Sequence, residues 1–436
     1  MAEPSFRDRA SLLLSNLREG REVRAYLDQF SAAGDGCFAV VKVGGALMAE
    51  ALDTLADRIA LLQALGLRPL VVFGAGPQLN ARLAQAGIEE RRVDGLRVTP
   101  PAAMPLVAAE TARTGLALVE AVRARGGHAV LTPPGTVTAE TLDEAKYGRV
   151  GRAGAVDTDA LTGLLASGVV PLVGPAQMDA EARLLNVNAD EVARAVALAL
   201  RPQKIVFLTG TGGLLGEDGG IIDSINLATD LEALRAAPWL HGGMRLKLDE
   251  ITELLSRLPL STSVSMTEAA NLVRELFTHG GAGTLIRRGE DVVVEDAPDE
   301  AALTPLIEGA FGAPLAPGFW QSIEPVHVIR TAGNRAVAVV TRESGQLVLD
   351  KFAVSPDARG EGLAKAVWAR LAEVCPRLLW RSQAGNPFNE FYAAHADGFL
   401  RRGAWHVFWY GDGMDEAALA AAPALTARPR DFGRAA

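Results

Sequence analysis

Between Cys37 and Ile286 short apolar runs alternate with longer amphipathic stretches, and this alternation restricts the chain to a mostly parallel sheet. The runs Phe38–Val41, Pro69–Phe73, Val169–Val173, Lys204–Thr209 and Ser263–Met266 are almost wholly apolar, as strands covered on both faces must be. Helical spacing falls between them, near Ala51–Leu65, Ala103–Arg125, Asp157–Ala166, Ala189–Leu200 and Leu246–Leu258. The reading is an α/β architecture with helices on both faces, whose ligands sit beyond the carboxyl ends of the strands. Hydrophobic residues make up 49% of the chain but aromatics only 6%, so Ala, Leu and Val must do most of the packing.

Two of these strands end in glycine. Ala39-Val-Val-Lys-Val-Gly-Gly45 breaks into a glycine pair beside Lys42, and Gly74-Ala-Gly76 lies between a strand and a helix. Bare amides at Gly44, Gly45, Gly74 and Gly76, with a lysine charge beside them, suit a phosphate; packing turns would be written the same way. Arg97, in Gly95-Leu-Arg-Val-Thr99, fits either a two-pronged grip on a carboxylate or a surface ion pair. Asn186-Val-Asn-Ala-Asp190 opens a helix with three capping residues where one suffices. Gly242-Gly-Met-Arg-Leu-Lys247 sets a second lysine behind another glycine pair.

Residues 287–318, rich in charge, Pro and Gly, mark a boundary. Beyond it come a helix over Asp299–Phe311, strands near Val326–Ile329, Ala336–Thr341 and Leu347–Val354, a helix at 359–374 and a strand Leu378–Arg381. That is a smaller α+β domain. Arg359-Gly-Glu-Gly-Leu-Ala364 opens its helix with successive amides, which suits a pyrophosphate. The Ala-rich tail after residue 416 reads as loosely held. Ahead of the first strand, residues 4–31 keep a helical period through Leu12, Leu17, Tyr26 and Phe30, as an edge-packing helix or an oligomer or regulatory element. The expected domains are 1–33, 34–288 and 289–436.

The net charge of −9, from 43 basic and 52 acidic residues, argues against a nucleic-acid partner. No apolar run is long enough to span a bilayer, and the polar N-terminus does not read as a signal peptide. Cys37 and Cys375 form no disulfide framework, the histidines are scattered, and no metal site is expected; a reducing cytoplasm is the simplest home.

The pieces Lys42-Val-Gly-Gly45, Gly74-Ala-Gly-Pro-Gln78, Gly95-Leu-Arg97, Asn186-Val-Asn-Ala-Asp190 and Gly242-Gly-Met through Lys247 together resemble the amino-acid kinase family, and its N-acetylglutamate kinases in particular. The resemblance covers about residues 38–287 and implies a three-layer fold. It also implies in-line phosphoryl transfer from MgATP to the side-chain carboxylate of N-acetylglutamate. By it Lys42 and Lys247 hold phosphates, with Gly44 and Gly45, while Asp190 orients both lysines. Gly74, Gly76, Arg97 and Asn186 would hold N-acetylglutamate. A loose transition state makes such catalysis mainly positioning and neutralisation. One departure stands out: the loop Thr209-Gly-Thr-Gly-Gly213 lacks the aspartate these kinases usually carry there, which bears on nucleotide affinity.

Over roughly residues 300–412 the chain resembles the GNAT acetyltransferase domain of vertebrate-type N-acetylglutamate synthases, through Leu349-Asp-Lys-Phe352, Trp380-Arg-Ser382, Asn386-Pro, Tyr392 and His395-Ala-Asp-Gly398. The resemblance implies acetyl-CoA along Val354, Arg359, Gly360, Gly362, Leu363 and Ala364, and glutamate on Lys351, Arg381 and Asn386. Tyr392 is the candidate general acid, or else an aromatic packing residue. Gln383 stands where relatives carry a second arginine. The two halves on one chain resemble the bifunctional N-acetylglutamate synthase/kinases of arginine biosynthesis. That implies a homotetramer built partly through the N-terminal helix and inhibition by arginine, with Glu275 as an acidic partner, although Ala270 replaces a histidine of the arginine-sensitive kinases. A synthase with a silent kinase fold, or a kinase with a non-catalytic second domain, are the alternatives.

Overall fold

The computed structural model describes residues 37–277, 282–358, 362–428 and 431–432. The helix expected over 4–31 lies outside them, as do Arg359 and Gly360. Contacts divide the chain into two compact units, Met1–Arg288 and Gly289–Ala436.

In the first unit six parallel strands lie side by side in the order Ser263–Thr267, Lys204–Leu208, Ala39–Val43, Pro69–Phe73, Val170–Val173 and Ala129–Leu131. Thr284–Arg287 adds antiparallel to the Ser263 edge, and Ser224–Asn226 follows it. Alternation along Ala39–Val43 sends Ala39, Val41 and Val43 into one apolar cluster with Leu55, Ile59 and Leu118. Val40 points the other way, to Leu161, Val192 and Val196. Each such buried side chain contributes roughly 1.5–3 kcal/mol. A one-residue slip would carry Lys42 into the Leu55–Ile59 side, so the register is firmly set. Four short strands, Val137–Thr141, Val150–Val156, Ala176–Met178 and Leu184–Val187, close into a small barrel.

The second unit is a seven-stranded sheet in the order Val292–Glu295, Pro325–Thr331, Ala336–Glu343, Gln346–Val354, Leu378–Gln383, Trp405–Tyr410 and Gly398–Arg402. Its neighbours run antiparallel except Gln346–Val354 and Leu378–Gln383, which pair in parallel at Val348–Leu379 and Leu349–Trp380 and then part. Between the pairs Val340–Leu349 and Val339–Lys351 the strand carries a bulge at Asp350. Helix Leu363–Val374 packs on one face through Val367, Trp368 and Leu371. Helix Glu300–Phe311 covers part of the other through Leu303, Leu306 and Ile307. The expected loose tail is corrected here. Met414–Ala427 is a helix, and Ala418, Ala422 and Leu425 form a buried stripe against Val348, Leu379 and Val407.

Candidate active sites

Lys42 faces the same side of its strand as Val40, the side on which helix Ala189–Leu200 packs. That helix is capped by Asn188, whose Oδ1 accepts from the Asp190 amide at 2.9 Å. Asp190 Oδ2 lies 3.2 Å from Lys42 Nζ, and its Oδ1 accepts from Lys247 Nζ at 2.7 Å. Lys42 pairs in register with Phe207 of the next strand, and Lys247 Nζ rests 4.2 Å from that ring's centroid. The sheet and two helices thereby bring the two lysines and the aspartate together. Burial pushes the Asp190 carboxyl up, but Lys42 and Lys247 outweigh it and hold the group below the usual carboxylate range. Two ammonium groups on one carboxylate leave a net positive site, the sign that draws phosphoryl oxygens.

The glycine loops meet at Gly45. A Cβ there would lie 2.7 Å from the Gly76 nitrogen and 2.8 Å from Pro77 Cδ, and Gln78 Nε2 donates to the Gly45 carbonyl at 2.6 Å. Gly44 faces open space, and helix Gly242–Ser256 begins on Gly242 and Gly243, also open and without a side-chain cap. Gly45→Ala is therefore expected to destabilise the first unit by about 1–3 kcal/mol. It should also depress any chemistry at Lys42, read by thermal unfolding and by turnover at each site. Acetyl transfer in the second unit should be unaffected.

Arg97 ends a hairpin whose turn, Asp94-Gly95, has φ of 51° and 79°. Asp-Gly supplies that pair of left-handed residues readily. Its Nη2 donates to the Gly76 carbonyl at 3.3 Å. Its Nη1 is within ion-pair range of Glu90, at 3.3 Å, but without hydrogen-bond alignment among the described residues. Burial lowers the Arg97 pKa, with Glu90 opposing. Asn186 Nδ2 donates to Thr99 Oγ1 at 3.1 Å, and the Thr99 hydroxyl donates to the Arg97 carbonyl at 3.0 Å. Gly45, Gly76, Arg97 and Asn186 thus form one chain of contacts, from which Gly74 is one bond removed through the Val43 carbonyl. Sequence reasoning missed Arg149. Its backbone bonds both Thr99 and Asn186, and its Nη1 is buried without a hydrogen-bond partner among the described residues. Such an open donor favours an anionic ligand. The Thr209–Gly213 loop is packed tightly: a Cβ at Gly213 would meet Ile221 at 2.6 Å and Thr284 Oγ1 at 2.8 Å. Glu275 is buried, and its Oε2 accepts from the Ala282 amide at 2.8 Å.

In the second unit Lys351 and Phe352 point to opposite faces of the sheet, as do Arg381 and Trp380. Lys351 Nζ contacts Asp350 Oδ1 at 2.5 Å and Asp431 Oδ2 at 2.8 Å, and lies 4.5 Å from the Phe319 ring centroid. Arg381 Nη2 lies 3.5 Å from the same Asp431 oxygen, while Nη1 donates to the carbonyls of Leu425 and Arg428. Lys351 and Arg381 are thus brought together. Asn386 is not brought to them by any described contact. Its Nδ2 donates to Ser382 Oγ and its Oδ1 accepts from the Phe388 amide, so both ends of the amide shape the turn.

Tyr392 lies on the other face, ringed by Phe352, Trp368, Trp380 and Phe388. Burial raises its pKa and keeps it a neutral phenol, the form an acid needs. Between the two faces lies the gap where the strands part, with Val354 on one rim and the helix start Gly362, Leu363 and Ala364 beyond it. Gly362 has φ 79°, and the helix it opens has no side-chain cap, so its first amides remain open to a ligand. Burial pushes the thiols up, Cys37 to about 12 and Cys375 to about 11, so neither is a ready nucleophile. Among the described residues no cluster of His, Cys, Asp and Glu is placed to hold a metal, and no helix is long and apolar enough to cross a membrane.

Residues 38–261 match the amino acid kinase family, and residues 290–423 match the N-acetyltransferase of N-acetylglutamate synthase. A protein named acetylglutamate kinase from Xanthomonas campestris pv. campestris is 44% identical over 91% of this chain and 95% of its own. The mitochondrial N-acetylglutamate synthase of Homo sapiens is 32% identical over 89% of this chain and 72% of its own. Among solved structures, the N-acetylglutamate synthase of Neisseria gonorrhoeae, complexed with coenzyme A and N-acetylglutamate, aligns with a TM-score of 0.64. It covers 90% of this chain and 98% of that one at 20% identity, a likeness of fold.

Proposed function

The chain belongs to the amino acid kinase family and carries the acetyltransferase of N-acetylglutamate synthase in its second unit, and from this we propose that it makes N-acetylglutamate and then phosphorylates it. The carrying observation is the Lys42–Asp190–Lys247 cluster beside the paired glycine loops. The attacking carboxylate of N-acetylglutamate bears no proton, so the first site needs no base. Its work is to neutralise charge as the phosphoryl group passes from MgATP, and two lysines set on one aspartate suit that work. Arg97, Asn186 and the amides of Gly74 and Gly76 hold the acetylglutamate, and Gly44 and Gly45 the phosphates.

In the second site the glutamate amine attacks the thioester of acetyl-CoA directly. A C–N bond forms, the C–S bond breaks, the amine gives up a proton and the sulfur takes one. Lys351 and Arg381 hold glutamate from one face of the sheet. Tyr392 stands on the opposite face as the proton donor. The parted strands and the open amides at Gly362–Ala364 fit acetyl-CoA between them. Feedback inhibition by arginine and assembly as a homotetramer in the cytoplasm complete the proposal. Glu275 is the acidic partner in it.

One reaction tests the whole: protein, glutamate, acetyl-CoA and MgATP, with hydroxylamine to trap an acyl phosphate, read by mass spectrometry. N-acetylglutamyl hydroxamate is expected. N-acetylglutamate alone would leave a silent kinase fold, the reading that the altered Thr209–Gly213 loop favours. Hydroxamate only when N-acetylglutamate is supplied would leave the second unit non-catalytic.

A further inference from the structure

Asp431 lies 80 residues from Lys351 along the chain, yet its carboxylate occupies the two cations assigned to glutamate, 2.8 Å from Lys351 and 3.5 Å from Arg381. Its neighbours fasten it there. Arg428 Nη2 donates to Asp350 Oδ2 at 2.6 Å, and Arg428 also pairs with Glu343. The Asp431 carbonyl accepts from the Ala316 amide at 2.9 Å, Phe432 bridges to Leu315, and its ring lies 4.7 Å from Phe311. Lys351 sits between the Phe319 and Phe432 rings, its side chain only 2% exposed. A residue needed only to end the fold has no reason to set its carboxylate between the two substrate cations.

Resting on the reading of Lys351 and Arg381 as glutamate anchors, we infer that Asp431 is a built-in competitor of glutamate: its carboxylate stands where a substrate carboxylate binds, and substrate must displace it. Glutamate carries the same group on a longer arm, so Lys351 and Arg381 exchange one carboxylate for another with no change of charge. The second site is then self-limited by its own C-terminal segment, and its apparent affinity for glutamate is reduced by the fraction of molecules in which the segment is docked.

The test is glutamate kinetics of the full chain at saturating acetyl-CoA. In Asp431→Asn the KM for glutamate should fall by roughly fivefold to tenfold, as for a site about nine-tenths occupied, with kcat undiminished. Phe432→Ala, which keeps the carboxylate and loosens its anchor, should shift KM the same way and guards against a folding failure in the first variant. A rise in KM in Asp431→Asn would make Asp431 part of the glutamate site and overturn the inference. An unchanged KM in both variants, while Lys351→Met raises it, would reduce the segment to packing and overturn it equally. An unchanged KM in Lys351→Met would remove the anchor reading itself, and the inference with it.

Discussion

Replacing Lys42 with alanine is expected to lower ATP-dependent phosphorylation of N-acetylglutamate by about 10²–10³-fold and to leave acetyl transfer unchanged. Lys42 is held by Asp190 at 3.2 Å at the end of a strand buried on both faces, so its charge is placed before substrate arrives. A preorganised charge costs no rearrangement as negative charge spreads over the phosphoryl oxygens, which is why its loss falls on kcat. Lys247→Ala should do comparable damage from the other side. The double variant should lose less than the product of the two, because both lysines share Asp190. ADP release and glutamate acetylation, measured on the same preparations, give the comparison. A loss below tenfold in both single variants would reduce the lysines to partners that merely neutralise Asp190.

Asp190 adds a pH signature. Its folded pKa is depressed: burial acts upward, but the two lysines prevail. A depressed carboxyl contributes stability that is present above its unfolded value, near about 3.9, and lost only as pH falls through the lower folded value. The cluster should therefore stay intact from pH 5 to 8, and any acid limb of phosphorylation in that range must come from another group.

The parallel core and this cluster were legible because each rests on local signals: a short apolar run, a glycine pair, a lysine at the break. The barrel strands were not. Val137-Thr-Ala-Glu-Thr141 and Val150-Gly-Arg-Ala-Gly-Ala-Val156 are polar and small, and only closure makes strands of them. Helix Met414–Ala427 was hidden by its alanines and by Pro423, although Ala418, Ala422 and Leu425 keep helical spacing. The hairpin under Arg97 did carry a signal, the Asp94-Gly95 pair. The bulge that turns Asp350 inward and the return of Asp431 carried none. A bulge is a fault in pairing between two strands, and the other is a contact between residues 80 apart.

Lys351→Met should lower kcat/KM for glutamate acetylation by about 10²-fold or more, chiefly through KM. Losing one partner of a buried, hydrogen-bonded charge pair costs roughly 2–5 kcal/mol, and each 1.4 kcal/mol is about tenfold. The loss belongs in KM because a carboxylate distant from the reacting amine is held equally in the ground and transition states. Methionine nearly fills the lysine's volume, so Phe319 and Phe432 keep a side chain between them. Asp350 retains Arg428, and Asp431 retains Arg381, so neither carboxylate is left unpaired. The structural penalty is thereby held below the cost of an orphaned buried charge. The fold of the second unit is checked by thermal unfolding, and phosphorylation of supplied N-acetylglutamate should persist, since Lys42 and Lys247 belong to the other unit. A fall in kcat at constant KM would move Lys351 from holding glutamate to the chemical step.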